Sequence, residues 1–322
     1  MRGPTGFCPA GEFGEASLGT ADSVGSHGAD RAVLRSSAGE DRVATLTSIL
    51  SVVAVATGLL VPHSGARAEA WPGHAGLLAQ AGRGFTYEHK PAPKPKGKAV
   101  LRVGYFPNLT HAQAMIGMST GAFGKALGEQ VVIDPYLFNA GPSAVEALFA
   151  GAIDITYIGP NPAINAYVRS KGEAVRIVAG ACSGGAALVV RADANVESAK
   201  DFRGKRIATP QLGNTQDVAA RAWLRKHGLA LKEAGGDVQI VPMMNPDQLS
   251  LFLKKEIDAA WAVEPWAARL IKEGGGRLFL DERTLWPNGQ FVTVHLLAST
   301  KFLKQQPDLM KTWLGAHVEL TQ

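Results

Sequence analysis

Leu148-Phe149-Ala150-Gly151-Ala152-Ile153-Asp154-Ile155-Thr156-Tyr157-Ile158-Gly159-Pro160 is the stretch that decides the fold. Val145, Leu148 and Phe149 fall at i, i+3 and i+4, so residues 143–150 read as a helix with one apolar face. Ile155 to Ile158 is a short apolar run that stops at Gly159-Pro160, which reads as a buried strand. Pro160 suits the first turn of a helix, and residues 161–171 read as that helix. Upstream, 100–106 reads as a strand ending at Pro107, 111–127 as one helix and 131–138 as a strand. Downstream, 175–179 reads as another strand. Strands alternating with helices predict a parallel sheet covered by helices.

A second cycle follows. Residues 206–209 read as a strand ending at Pro210, and 216–227 as a helix stopped by Gly228. A strand at 238–241 precedes a helix at 246–256, with Leu249, Phe252, Leu253 and Ile257 on one face. Then come a strand at 259–263, a helix at 266–273 and a strand at 277–280. The two cycles echo each other: Ile153-Asp154 and Ile257-Asp258 each follow a helix, open a strand and precede a Pro. Asp154 and Asp258 read as cap or turn residues. Two long β-like runs, 187–191 and 291–297, stand where a chain would cross between lobes. The whole reads as two α/β lobes joined by two crossing segments with a cleft between them. Lobe I takes 98–186 and 296–322, and lobe II takes 187–295.

The first hundred residues read differently. Residues 1–42 are rich in Gly, Ala and Ser without a period, either a disordered extension or a stretch ahead of the true start. Arg42, an apolar run from Val43 to Val61, and Ala66-Arg67-Ala68 form a secretory signal pattern over 43–70. The alternative is a single membrane anchor, since the run nears spanning length. The Pro/Lys-rich end of 71–97 reads as a solvated linker. Across 322 residues, 46% hydrophobic and 19% charged, the composition excludes a wholly disordered or collagen-like chain. Two cysteines, Cys8 and Cys182, exclude a disulfide scaffold or a cysteine zinc cluster. The net charge of +5 is spread along the chain, a mild bias towards anions and no nucleic-acid footprint.

Four segments carry a resemblance. They are Gly104-Tyr105-Phe106-Pro107-Asn108-Leu109-Thr110-His111, Tyr157-Ile158-Gly159-Pro160-Asn161-Pro162-Ala163, Ala208-Thr209-Pro210-Gln211-Leu212-Gly213-Asn214-Thr215-Gln216-Asp217, and Val263-Glu264-Pro265-Trp266-Ala267. In this order, over roughly 100–322, they resemble the substrate-binding proteins of ABC importers for nitrate, taurine and aliphatic sulfonates. The resemblance implies a type II periplasmic-binding-protein fold, a small anionic ligand in the cleft, a periplasmic location, and delivery to an ABC permease and its ATPase by a monomer. Family members usually continue with more C-terminal helix, whereas this chain stops at Leu320-Thr321-Gln322, so either the sequence is incomplete or the first lobe is thinly packed.

All four segments follow a strand and precede a helix, and ligands in open α/β sheets bind beyond the carboxyl ends of strands. Free N–H groups and the positive dipole end of the next helix can hold an anion without Arg or Lys. The candidate ligand-binding residues are Asn108, His111, Gly159, Asn161, Ser183, Gly184, Asn214, Thr215, Gln216 and Glu264. Asn108, Asn161 and Asn214 could equally be N-caps. His111 could be a polar wall or a solvent-facing first-turn residue. Glu264 would repel an anion, so it binds a ligand amine, orients a neighbouring donor or contacts the permease. Trp266 reads as a helix anchor, and Cys182 as an inert small residue near the cleft.

An enzyme reading finds no support. There is no G-x-S-x-G elbow, no Walker loop, no H-E-x-x-H and no close His pair. The cysteine-rich segment of relatives that make a thiamine pyrimidine precursor is missing. No cofactor or metal is called for. The other binder readings are nitrate, or a thiamine pyrimidine precursor stacked on Tyr105, Tyr157, Trp261 or Trp266. A sensory effector domain is a further class, which the signal-like run opposes.

Overall fold

The structure, a computed structural model, describes residues 96–322. The expected extension, signal segment and nearly all of the linker lie outside the described residues. The strands are β1 (Ala99–Tyr105), β2 (Val131–Leu137), β3 (Ile155–Ile158), β4 (Val175–Ser183), β5 (Ala186–Arg191), β6 (Arg206–Thr209), β7 (Gln239–Pro242), β8 (Ala259–Val263), β9 (Gly276–Asp281) and β10 (Val292–Ser299). The α-helices are α1 (Ala112–Ser119), α2 (Ala122–Leu127), α3 (Gly141–Phe149), α4 (Pro160–Arg169), α5 (Thr215–Lys226), α6 (Asn245–Leu253), α7 (Trp266–Lys272), α8 (Thr300–Gln305) and α9 (Pro307–Thr321).

Two five-stranded sheets result, in the orders β2-β1-β3-β10-β4 and β7-β6-β8-β5-β9. In the first, β1 runs parallel to β2 and β3, while β10 runs antiparallel to both β3 and β4. In the second, β6 runs parallel to β7 and β8, while β5 runs antiparallel to β8 and β9. The expected parallel sheets are therefore mixed, each with one inserted antiparallel strand.

Those inserted strands are the two runs read from sequence as crossings. An extended apolar run looks the same whether it bridges lobes or lies inside a sheet. Here both lie inside, which is why Leu188, Val189, Val190, Leu296 and Leu297 are buried. The crossings are shorter: Gly184-Gly185 and the segment 282–291. Gly184 and Gly185 have φ of 78° and 76°, a left-handed backbone that glycine takes without strain. The chain is back in the first sheet at Val292, which pairs with Ser183, not at 296.

The helix expected over 111–127 is two helices, broken at Gly121 with φ 73°. Helices cover both faces of the first sheet. One face packs Leu101, Val103, Phe123, Tyr157 and Trp313, and the other Phe138, Leu148, Ile158 and Ala166. The expectation of a thin first lobe is not met, because α9 brings Trp313 onto Phe123 in a stack with ring centres 3.7 Å apart. In the second lobe, Trp223, Trp261 and Phe202 fill one face, and Phe252 and Leu270 the other.

The sequence echo is a structural repeat. Asp154 donates its N–H to the Arg102 carbonyl at 2.9 Å, and its carboxylate accepts the Arg102 N–H at 3.0 Å. Asp258 does the same with Arg206, at 2.9 and 2.8 Å. Both aspartates are thus more than turn residues: each pins the start of a strand to its parallel neighbour, β3 to β1 and β8 to β6.

Candidate functional site

Each segment singled out in the sequence leaves the carboxyl end of a strand and turns into a helix or a helical turn. The loop after β1 runs through Asn108 into a single turn, Leu109–His111, and then α1. The loop after β2 enters α3 at Gly141, the turn after β3 enters α4 at Pro160, and the loop after β6 enters α5 at Thr215. Together they line a narrow, partly open cavity with about 30 Å³ of water-accessible space, formed from the first lobe by Phe106, Asn108, Thr110, His111, Asn139, Ala140, Gly141, Gly159, Pro162, Thr293 and Val294. The second lobe adds Pro210, Asn214, Thr215, Gln216 and Val263.

None of these lining residues is Lys, Arg, Asp or Glu. What the cavity offers instead is neutral donors held in place. His111 is buried, and burial lowers its pKa to about 3, so the ring is neutral. Its Nδ1 accepts the Phe106 N–H at 3.3 Å, which leaves the ring proton on Nε2 as a donor. Asn214 caps α5, its Oδ1 accepting the Asp217 N–H at 2.9 Å. The Asn214 amide donates to Gln216 Oε1 at 3.0 Å, so Gln216 keeps its own NH₂ group free for another acceptor. Thr215 Oγ1 is buried and has no hydrogen-bond partner. A buried hydroxyl without a partner carries a desolvation cost that a ligand acceptor would relieve.

The α5 start is fixed from beneath. Buried Asp217 accepts from the Gly213 N–H at 2.9 Å, Thr209 Oγ1 at 3.2 Å and Arg221 Nε at 2.9 Å. The lobes meet closely at this point. A Cβ on Gly159 would stand 2.2 Å from Thr215 Oγ1, so only glycine allows the approach. With φ −71° and ψ 159°, Gly159 is there for space and not for backbone freedom.

Four further hydrogen-bonded contacts join the lobes around the cavity. The Leu109 N–H donates to the Glu264 carbonyl at 2.9 Å, and Trp266 Nε1 donates to Asn108 Oδ1 at 3.1 Å. Asn139 Nδ2 donates to the Pro210 carbonyl at 2.8 Å, and Gln211 Nε2 donates to Ser143 Oγ at 3.0 Å.

Of the residues expected from sequence, Asn108, His111, Gly159, Asn214, Thr215 and Gln216 line the cavity, and Asn161, Ser183, Gly184 and Glu264 do not. Asn161 lies one residue inside α4, half-buried, and Gly159 takes the cap position. Ser183 donates to the Phe291 carbonyl at 2.8 Å and the Gly184 carbonyl accepts from Thr293 Oγ1 at 2.5 Å, so both tie the crossings together. Glu264 turns its carboxylate onto the Ala268 N–H of α7 at 3.1 Å, away from the cavity. Asn108 is not a side-chain cap, and His111 does not face solvent. Trp266 is an anchor, covered by the Arg269 guanidinium 4.8 Å from its ring centre. Tyr105, Tyr157, Trp261 and Trp266 are all absent from the cavity lining. Sequence reasoning missed Asn139 to Gly141, although strand, Asn, Gly, Pro and helix follow there in the same pattern. It also missed Thr293, which no local signal marks.

Comparison with known proteins agrees with this architecture. A Brucella abortus protein described only as a binding protein is 30% identical over 183 residues, 56% of this chain and 54% of the relative. The chain thus spans about half the length of that relative. The taurine-binding periplasmic protein of Escherichia coli is 24% identical over 65% of this chain and 62% of its own length. The alkanesulfonate-binding protein SsuA from Xanthomonas axonopodis pv. citri, solved with MOPS bound, superposes with a TM-score of 0.59 at 21% identity, covering 71% of this chain and 74% of that one. This likeness gives the fold: two mixed α/β lobes of the periplasmic-binding-protein kind. The sequence model of the NMT1-like family matches residues 94–322, and the chain belongs to that family.

Proposed function

We propose that the protein is the extracytoplasmic substrate-binding component of an ABC importer, and that it binds a small organic anion such as an aliphatic sulfonate or taurine. One observation carries the reading: buried, uncharged donors drawn from both lobes, His111 before α1 and Thr215 and Gln216 at the start of α5, line one cavity. The start of α5, which has no proline in its first turn, presents free N–H groups and a positive dipole end. A sulfonate's three oxygens can be shared among them without a buried cation, and exclusion of water strengthens each contact. No step of bond making is needed. Ligand closure between the lobes would present one continuous face to the permease, with the ATPase behind it. The similarity to a taurine-binding and an alkanesulfonate-binding protein supports the ligand class. The pyrimidine reading gains nothing from the aromatic residues named for it, since none lines the cavity.

Calorimetry tests this directly. Ethanesulfonate, taurine, nitrate and a thiamine pyrimidine are titrated into the protein. A sulfonate should bind saturably at one site. Binding of the pyrimidine alone, with every anion silent, would overturn the reading. Thr215→Ala should weaken sulfonate binding by about 1–3 kcal/mol through loss of a buried donor.

A further inference from the structure

We propose that Trp266 and Gln211, neither of which lines the cavity, set how tightly the protein holds its ligand, by bridging the two lobes. This rests on the reading above only for the ligand; the bridges themselves are geometric. The first bridge joins the loop after β1 to the β8–α7 corner, through Trp266 Nε1 to Asn108 Oδ1 and the Leu109 N–H to the Glu264 carbonyl. The second joins the loops after β2 and β6, through Gln211 to Ser143 and Asn139 to the Pro210 carbonyl.

Each bridge pairs a first-lobe residue that faces the cavity, Asn108 or Asn139, with a second-lobe partner. Each also contains a side chain outside the cavity lining, Trp266 or Gln211; Gln211 bonds Ser143, which does not line the cavity either, whereas Trp266 bonds the lining residue Asn108. Asn108 is buried and spends its oxygen on Trp266, so that contact also fixes which way its amide faces. Bonds made only when the lobes are together favour the closed form by their full strength. If the closed form is the one that binds, apparent affinity scales with its population. Removing one hydrogen bond from each bridge, Trp266 to Asn108 and Gln211 to Ser143, should therefore weaken binding roughly tenfold or more, with the loss in the dissociation rate.

The test uses the full chain, wild type and the Trp266→Phe/Gln211→Ala double variant. Trp266→Phe keeps a ring under Arg269 and removes only the donor. Small-angle X-ray scattering of the ligand-free proteins should show a larger radius of gyration for the double variant. Stopped-flow with ethanesulfonate should show at least tenfold faster dissociation. Ser143→Ala, which removes the Ser143–Gln211 contact from the other side, should match Gln211→Ala, and checks against a folding defect in either. Superimposable scattering curves, or an unchanged dissociation rate, would overturn the proposal. Should ethanesulfonate not bind even the wild type, the ligand reading fails and the scattering alone decides the bridges.

Discussion

The two lobes are variations on one plan, and their differences separate what the fold needs from what the site needs. Both place an antiparallel strand, β10 or β5, between β3 or β8 and the edge strand. Both pin that strand, β3 or β8, to its parallel neighbour, β1 or β6, by an aspartate. They differ in the guanidinium that balances it. Asp154 takes Arg102 from its own main-chain partner, at 2.6 Å, whereas Asp258 meets Arg191 from β5 at a longer 3.5 Å. They differ more at the cavity. The first lobe supplies most of the lining, including Asn108, His111 and Asn139, while the second supplies mainly the α5 start. The conserved plan thus lies at the amino ends of the strands, away from the cavity, and the divergence at the carboxyl ends. This is the division expected when one end of a sheet carries stability and the other carries binding.

Breaking the first lobe alone is the strongest test of their independence. Trp313→Ala removes a fully buried ring and should cost about 3–5 kcal/mol. A scanning calorimeter should then resolve two transitions, the lower from the first lobe. A single shifted transition would mean the lobes unfold as one unit. Next in size come the aspartates. Asp154→Ala should cost about 3 kcal/mol and Asp258→Ala about 2, since the tighter ion pair is lost in the first case. Urea midpoints on both variants check the order, and equal losses would show that the main-chain bonds matter more than the guanidinium.

A further test separates two buried titratable groups. Burial raises Glu282, at the start of the second crossing, to about 7 from 4.5. The folded protein therefore keeps a proton that the unfolded chain releases, and stability falls as pH rises from about 4.5 to 7. Burial holds His111 at about 3 against 6.5, so stability from this group is lost as pH falls from 6.5 towards 3. Denaturation of Glu282→Gln should show a flatter upper limb, and of His111→Gln a flatter lower one. Unchanged pH profiles would place these groups' charges elsewhere.

Much of this was legible in the sequence, and the failures have physical causes. The strands 155–158, 206–209 and 259–263 have the bounds read from sequence, because each short apolar run is closed by Gly or Pro or opened by Asp. The broken helix at Gly121 was not legible, since an isolated glycine inside an apolar pattern does not announce a left-handed turn. The antiparallel placement of β5 and β10 was hidden because hydrophobic pattern carries burial but not direction. At the site, helix-start residues were found by position alone. Asn161 and Glu264 were not brought in, because one residue along a helix turns a side chain by about 100° and because Glu264 had a nearer donor in its own helix. Thr293 reaches the cavity only through the pairing of β10, which no local window contains.

The account turns on the lobes closing around a small anion where Gly159 meets Thr215. Gly159→Ala keeps an ordinary backbone angle but puts a methyl group 2.2 Å from Thr215 Oγ1. Calorimetric titration of ethanesulfonate into wild type and Gly159→Ala is the most direct measurement. The account predicts one saturable site in the wild type and at least tenfold weaker binding in the variant, about 1.4 kcal/mol or more. Equal affinities in the two proteins would contradict it.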